Sequence, residues 1–421
     1  MTNYKDIAFF LELQKQASAI EPGIGPIDIQ KLLEENINPL NGGARAELVV
    51  KLLDVIPNNP KRILLITSLQ LGGAERVAAN AVKAIAEKAG KEETLIIATD
   101  GDDRTAASWF EPFGQVIILK ELIEQPLEKE VLAEILARII NSWQPKAILN
   151  INSWAGWRAL ERYGIALTNQ TTWSVGLFCR DQGSNGLPLG HVDRFLRSCI
   201  SNIERVICDH QGFLDEISND FALTAQEKQR LKAIYQPVTI TKKTLKLGKR
   251  VIWAGRLCDQ KSPALISQIA RLKPEINFDI YSPNVNSTQW KDWGLEAHNI
   301  HPKGPYLSFS DLPLEQYGVL LFTSKFEGLP NVLLEAGSNG IPILASAVGG
   351  VPELVNQSTG WPVKPSMNDA QIFANNLEEI LNNHKEVKKR CSAMYQLLQS
   401  RHSNEEYWES AVSSSSFFNL N

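Results

Sequence analysis

Cysteine is scarce in this 421-residue chain: Cys179, Cys199, Cys208, Cys258 and Cys391 are scattered, odd in number and without metal-ligand spacing. That speaks against both a disulfide framework and a zinc site. Histidine is scarce as well, and the six residues form no H-x3-H pair. No stretch approaches the roughly 20 apolar residues of a membrane span. The opening MTNYKDIAFFLELQKQ lacks the basic start and long apolar run of a signal peptide. A cytoplasmic chain is expected, with any membrane contact peripheral at the inner face. The formal net charge is only -4, which supplies no general field for nucleic acid. An anionic ligand therefore has to meet particular residues. What is present, 43% hydrophobic and 21% charged residues, suffices for two or three globular domains.

Short β-branched apolar runs alternate with longer helical patterns, the signature of parallel α/β construction. The alternation occurs twice. RILLIT (62–67), TLIIAT (94–99), VIIL (116–119), AILNIN (147–152), SVGLF (174–178) and VIC (206–208) form the first series. RVIWA (250–254), FDIYS (278–282), GVLLFT (318–323) and PILAS (342–346) form the second, and YQPVTITKKTLKLGK (235–249) reads as the linker. Domains are expected at 61–240 and 249–398, after a mostly helical extension over 1–60 and before a last segment at 399–421.

Chemistry concentrates after two strands of the second series. GVLLFTS runs into EGLP, and Pro330 suits the first position of a helix NVLLEAGSN that Gly340 ends. A helix opening at a strand's carboxyl end presents unpaired N–H groups to an anion. Glu327 and Glu335 flank that opening, and each carboxylate can accept two hydroxyl protons from a vicinal diol. A helix-opening glutamate beside a solvated one fits the local pattern equally well. After RVIWA, Arg256 and Lys261 emerge together, with Ser262 and Pro263 suited to cap and open the next helix. Arginine grips phosphate bidentately and lysine adds a mobile charge, so the pair could neutralise a diphosphate.

GGAERV (72–77), AGRLCDQK (254–261) and SKFEGLPNVLLEAGSNGIPILASAVGGVPELV (324–355), in this order, resemble the retaining nucleotide-sugar glycosyltransferases of group 1, family 4. The resemblance covers about residue 61 to the end. It implies an α/β GT-B fold: two Rossmann-like parallel-sheet domains around an interdomain cleft, with the last helix crossing back onto the first domain and Tyr407 and Trp408 as its anchors. It implies that Arg256 and Lys261 bind the donor diphosphate, that Glu327 meets the transferred sugar and that Glu335 holds the ribose. Gly328, Leu329 and Pro330 would form the turn against sugar and phosphates, and the Gly72-Gly73 loop would approach the donor across the cleft. A plain strand-to-helix turn is the alternative reading of that glycine pair.

Many relatives carry a histidine or an acidic residue near the reacting sugar where this chain reads Phe178-Cys179-Arg180-Asp181, with Arg180 nearest the common histidine's position. Arg180 and Asp181, with Asp209 further on, are therefore candidate acceptor-side residues, and either aspartate could instead cap the helix that follows. The resemblance implies transfer with retained configuration, centred on Arg256, Lys261 and Glu327, from a nucleotide-diphosphate sugar to a saccharide or lipid-linked acceptor in polysaccharide or lipopolysaccharide assembly. No metal or other cofactor is implied, and Asp100-Gly101-Asp102 is expected in a solvated loop. A related epimerase or phosphorylase, or a non-catalytic nucleotide-sugar binding subunit, would use the same binding residues.

Overall fold

The computed structural model describes residues 7–20, 43–55, 60–122, 127–182, 187–241, 247–283, 287–306 and 308–420. The first sheet is built from β1 (Arg62–Ile66), β2 (Thr94–Ala98), β3 (Gln115–Ile118), β4 (Ala147–Ile151) and β5 (Thr172–Gly176). A two-stranded hairpin of β6 (Asp181–Gln182) and β7 (Pro188–Leu189) follows, and β8 (Arg205–Cys208) and β9 (Leu231–Ala233) complete the sheet. The second sheet contains β10 (Arg250–Ala254), β11 (Phe278–Tyr281), β12 (Ile300–Gly304), β13 (Tyr317–Phe322), β14 (Ile343–Ser346) and β15 (Trp361–Val363).

The strand orders are β3-β2-β1-β4-β5-β8-β9 and β12-β11-β10-β13-β14-β15, parallel throughout. Both are doubly wound, with the order reversing beside β1 in one sheet and beside β10 in the other, so this is the GT-B fold. Central strands such as RILLI and TLIIA are buried along their whole length, as expected where helices cover both faces of a sheet. The helix Lys129–Trp143 supplies such a cover, turning Val131, Ile135, Leu136, Ile139 and Ile140 inward.

Besides the hairpin strands β6 and β7, three strands are missing from the sequence expectation, β9, β12 and β15, and all three lie at the edges of the two large sheets. Their sequences, LKA, IHPKG and WPV, carry lysine or proline, which an edge tolerates because one row of backbone groups needs no ladder partner. In the N-terminal stretch the helices Ile7–Ile20 and Gly43–Val55 are described, and the second buries Leu48 and Leu52 in the first domain's core. The rest of 1–42 lies outside the described residues.

The chain ends on the first domain. Helix His384–Arg401 packs on the second domain, burying Met394 and Leu398 there. Helix Asn404–Ser414 and the turn after it place Tyr407, Phe417 and Phe418 in the first domain's core, with Trp408 packed against them. Arg62, buried at the start of β1, donates to the carbonyls of Phe417 and Asn419. Ser174 and Ser415 hydroxyls pair at 2.9 Å.

Candidate functional site

The loops after β10 and β13 are neighbours because those strands pair at the point where the sheet order reverses. Side-chain and backbone bonds weld the loops together. Lys325 N–H donates to Gln260 O (2.8 Å), Gln260 Nε2 to Phe326 O (3.0 Å), and Thr323 Oγ1 to Lys261 O (2.8 Å). Trp253, buried in β10, donates to Thr323 Oγ1 from its indole. Lys261 and Glu327 thereby meet directly, Nζ to Oε1 at 2.5 Å, both largely buried. Arg256 projects exposed from the end of β10, and its charge acts on Glu75 across the cleft.

Helix Asn331–Ser338 opens one residue later than expected, with Pro330 at the N-cap position, and Gly340 follows its end at a φ of 74°. Its first N–H groups have no intrahelical acceptor. The turn before it is clamped from two sides. Gly328 O accepts from Gly350 N–H (3.0 Å), and a side chain on Gly349, at a φ of 51°, would run into Glu327 O. Only glycine suits that crossing. On the other side, the Leu329 amide donates to Asp209 Oδ2 (3.1 Å), so this N–H is not free to meet a phosphate oxygen. Ser262 also departs from expectation. It stands in the left-handed region with no side-chain cap bond, and Pro263 alone carries the start of the next helix.

Glu335 sits one helical turn inside, away from the Lys261–Glu327 pair. It lines a cavity of about 650 Å3 between the domains, with Asn331 and Asn339 on its own side and Arg76 and Asn80 opposite. Burial pushes the Glu335 carboxyl above its ordinary range, and the charge of Arg76 draws it part of the way back. Arg76 is itself half-buried and lies over the Trp109 ring at 3.5 Å. The two glutamates thus have different surroundings, Glu327 on Lys261 and Glu335 on the cavity.

Gly72 begins the helix Gly73–Ala89, and a Cβ there would lie 2.1 Å from Glu75 Oε2. The room at Gly72 is filled by this chain's own carboxylate, which accepts from Gln70 Nε2 at 3.0 Å and is raised by burial. Gly73 faces open space. Of the pair, Gly73 is therefore the residue a ligand could approach.

Of the acceptor-side candidates, Arg180 is ion-paired with Asp193, Glu216 and Asp220 and lies over Phe221. That cluster belongs to the first domain's own packing. Asp181 opens the small hairpin opposite Leu189, and its side chain lies outside the described residues. Asp209 is buried at the end of β8, against the Glu327–Pro330 turn. The chain brings Cys208, Asp209 and His210 together, a proximity their adjacency in sequence permits. Asp209 Oδ1 already accepts from His210 Nδ1 (2.8 Å), and burial pushes the Cys208 thiol well up.

Asp100 and Asp102 have separate employments. Asp100 is half-buried rather than solvated, accepting from Thr99 Oγ1 and from Trp154 N–H at the start of helix Trp154–Leu167, while Asp102 pairs with exposed Lys120. In KEVKKR (385–390), Val387 faces the core and Lys385, Lys388 and Lys389 face solvent, the ordinary anatomy of a surface helix. Among the described residues, no helix is long and apolar enough to cross a membrane. Glu75, Arg76 and Glu353 were not singled out from the sequence, although the first two stand inside GGAERV and the third inside GGVPELV.

Residues 248–383 match the family described as group 1 glycosyl transferases. Two Escherichia coli proteins, the O-antigen biosynthesis glycosyltransferase WbnH and the probable O-antigen biosynthesis glycosyltransferase WbiN, are each 29% identical over 149 residues. Those matches span 35% of this chain and 43% of each relative, less than half the relatives' length. Among solved structures, Anabaena HepE in complex with UDP and glucose superposes with a TM-score of 0.65 at 18% identity, covering 84% of this chain and 99% of that one. The lipopolysaccharide outer core galactosyltransferase WaaB gives a TM-score of 0.62 at 16% identity, over 84% and 98%. These likenesses establish the fold, and the second domain is the part of the chain that carries the group 1 glycosyl transferase match.

Proposed function

We propose that the chain is a retaining glycosyltransferase that moves a sugar from a nucleotide-diphosphate sugar to a saccharide or lipid-linked acceptor, in polysaccharide or lipopolysaccharide assembly. One observation carries the reading. Arg256, Lys261, Glu327 and the free start of helix Asn331–Ser338 converge beside β10 and β13, where the sheet order reverses. Doubly wound sheets bind ligands at such points, and two cations there would meet a departing diphosphate as it gathers charge. Interactions that strengthen as the glycosidic bond breaks lower the barrier more than they tighten the ground state.

Lys261 is held by Glu327. On this reading a donor separates the pair: Lys261 turns to the diphosphate and Glu327 to hydroxyls of the transferred sugar. The acceptor hydroxyl then attacks on the face of the leaving phosphate, which takes its proton, so neither glutamate need act as a base. The divergent bonds of Asp100 and Asp102 support a metal-independent reaction. The same match and fold support the O-antigen setting, because the relatives are named for it.

The test is release of nucleoside diphosphate from a panel of nucleotide sugars, with and without saccharide acceptors. UDP-glucose comes first, since HepE is seen with UDP and glucose. Product anomers read by NMR should keep the donor's configuration, and chelator should leave turnover intact. Tight donor binding without turnover would favour the second reading, a nucleotide-sugar binding subunit. That reading draws on Arg180, which stands near the family's histidine position yet is consumed by three carboxylates.

A further inference from the structure

The two domains exchange carboxylates. Asp209, at the end of β8 in the first domain, accepts from the Leu329 amide in the second at 3.1 Å. Two and three residues along from Asp209 the direction reverses. Glu353 of the second domain accepts from the Gln211 and Gly212 amides, at 3.3 and 2.7 Å, at the start of helix Gln211–Asp220. That helix has no side-chain cap of its own, because His210 at the N-cap position makes none. The other domain supplies the missing acceptor, and a carboxylate at a helix start also meets the positive end of its dipole.

Both carboxylates are anchored from behind. His210 Nδ1 holds Asp209 Oδ1 at 2.8 Å. Tyr235 donates to Glu353 Oε2 at 2.6 Å, and Arg401, lying over the Tyr235 ring, donates to the Glu353 carbonyl at 2.7 Å. The contact leaves no slack. A Cβ at Gly328 would come within 3.1 Å of Asp209 Oδ2 and of the Phe178 carbonyl, and one at Gly350 would meet His210. Both glycines are needed for the first domain to seat against the turn that carries Glu327.

We propose that Asp209 and Glu353 form a reciprocal interdomain clasp in which Asp209 is the positioning residue for the Glu327–Pro330 turn. Both Asp209 carboxylate oxygens are engaged by the protein itself, Oδ1 by His210 and Oδ2 by the Leu329 amide. That carboxylate fixes the Leu329 amide, and so the angle at which Glu327 and the first free N–H groups of helix Asn331–Ser338 meet the donor. Opening the cleft at this point lengthens the Asp209–Leu329 bond past hydrogen-bonding range, so the turn reaches its binding shape only while the domains are closed. The role in catalysis rests on the donor reading above, whereas the clasp itself does not.

The experiment therefore reads the clasp without a substrate. Amide hydrogen exchange is followed in the full chain for wild type, Asp209→Ala, Asp209→Asn and Glu353→Gln. Asp209→Ala should speed exchange at Leu329 about tenfold or more while the amides of β13 keep their rates. Asp209→Asn, which retains an acceptor oxygen, should restore much of the protection. Glu353→Gln leaves one acceptor oxygen where two now serve Gln211, Gly212 and Tyr235, so it should speed exchange at Gln211 or Gly212 and, because the clasp is shared, at Leu329 too.

Unchanged Leu329 exchange in both Asp209 variants overturns the assignment, and a Glu353→Gln effect confined to Gln211 and Gly212 overturns the coupling. With a donor found for the wild type, Asp209→Ala should raise the donor KM about tenfold with a smaller change in kcat. A kcat and KM equal to wild type would remove its positioning role. Failure of the donor panel on the wild type strikes the function alone, since the exchange rates still decide the clasp.

Discussion

The two domains share a strand order and differ in how they hold their loops. In the second, side chains from neighbouring strands meet at the switch point: Lys261 on Glu327, Gln260 on Phe326, Thr323 on Lys261. In the first, the corresponding place after β1 is filled by backbone and by Glu75 turned back under Gly72. One sheet welds its loops through side chains, and the other faces them with Glu75 and Arg76 from a single helix start. The first domain, in turn, takes its packing from distant segments, with Phe417 and Phe418 seated on its sheet from the far end of the chain. Common topology thus places loops at equivalent positions without assigning them equivalent chemistry.

That contrast can be broken from either side. The largest effect should follow loss of the cations: Arg256→Ala or Lys261→Ala should cut turnover about a hundredfold to a thousandfold while the melting temperature stays near wild type. Next comes the first domain's borrowed core. Phe417 is fully buried against Phe418, so Phe417→Ala should cost about 3 kcal/mol or more in urea unfolding, without touching the cation site.

A third effect concerns the junction of the linker and the last helices. His402 is buried, donates from Nδ1 to Gln236 O at 2.7 Å and accepts from Arg401. Burial, opposed by the Gln236 carbonyl and aided by Arg401, lowers it from 6.5 to about 4. The unfolded chain then binds this proton first, so stability present above pH 6.5 is lost as pH falls toward 4, by up to roughly 3 kcal/mol. His402→Gln should flatten the pH dependence of the melting temperature in that window. The smallest effect belongs to the far end of the site: Glu335→Ala should weaken nucleotide binding about tenfold with little change in kcat.

Legibility followed the same division. Strands buried on both faces, such as β1 and β10, declare themselves as unbroken apolar runs, and the E-x7-E spacing places Glu327 and Glu335 around a helix start. Edge strands escaped because proline and lysine are tolerated there. The Lys261–Glu327 pair was hidden because 66 residues separate its members and only strand adjacency unites them. Asp209 could be named as a candidate, yet its partner is a backbone amide 120 residues away in the other domain. No side-chain pattern records such a bond. Gly72 shows the same limit: glycine in a loop signals a close approach without saying whether the visitor is a ligand or the chain itself.

The most direct measurement is calorimetric titration of the wild-type chain with a panel of nucleoside diphosphates, repeated on Arg256→Ala, Lys261→Ala and Glu335→Ala. The account predicts binding of at least one nucleotide and affinity weakened about tenfold or more in each variant. Absence of binding across the panel, or equal affinity in all three variants, would contradict a nucleotide-sugar site at the β10–β13 switch point.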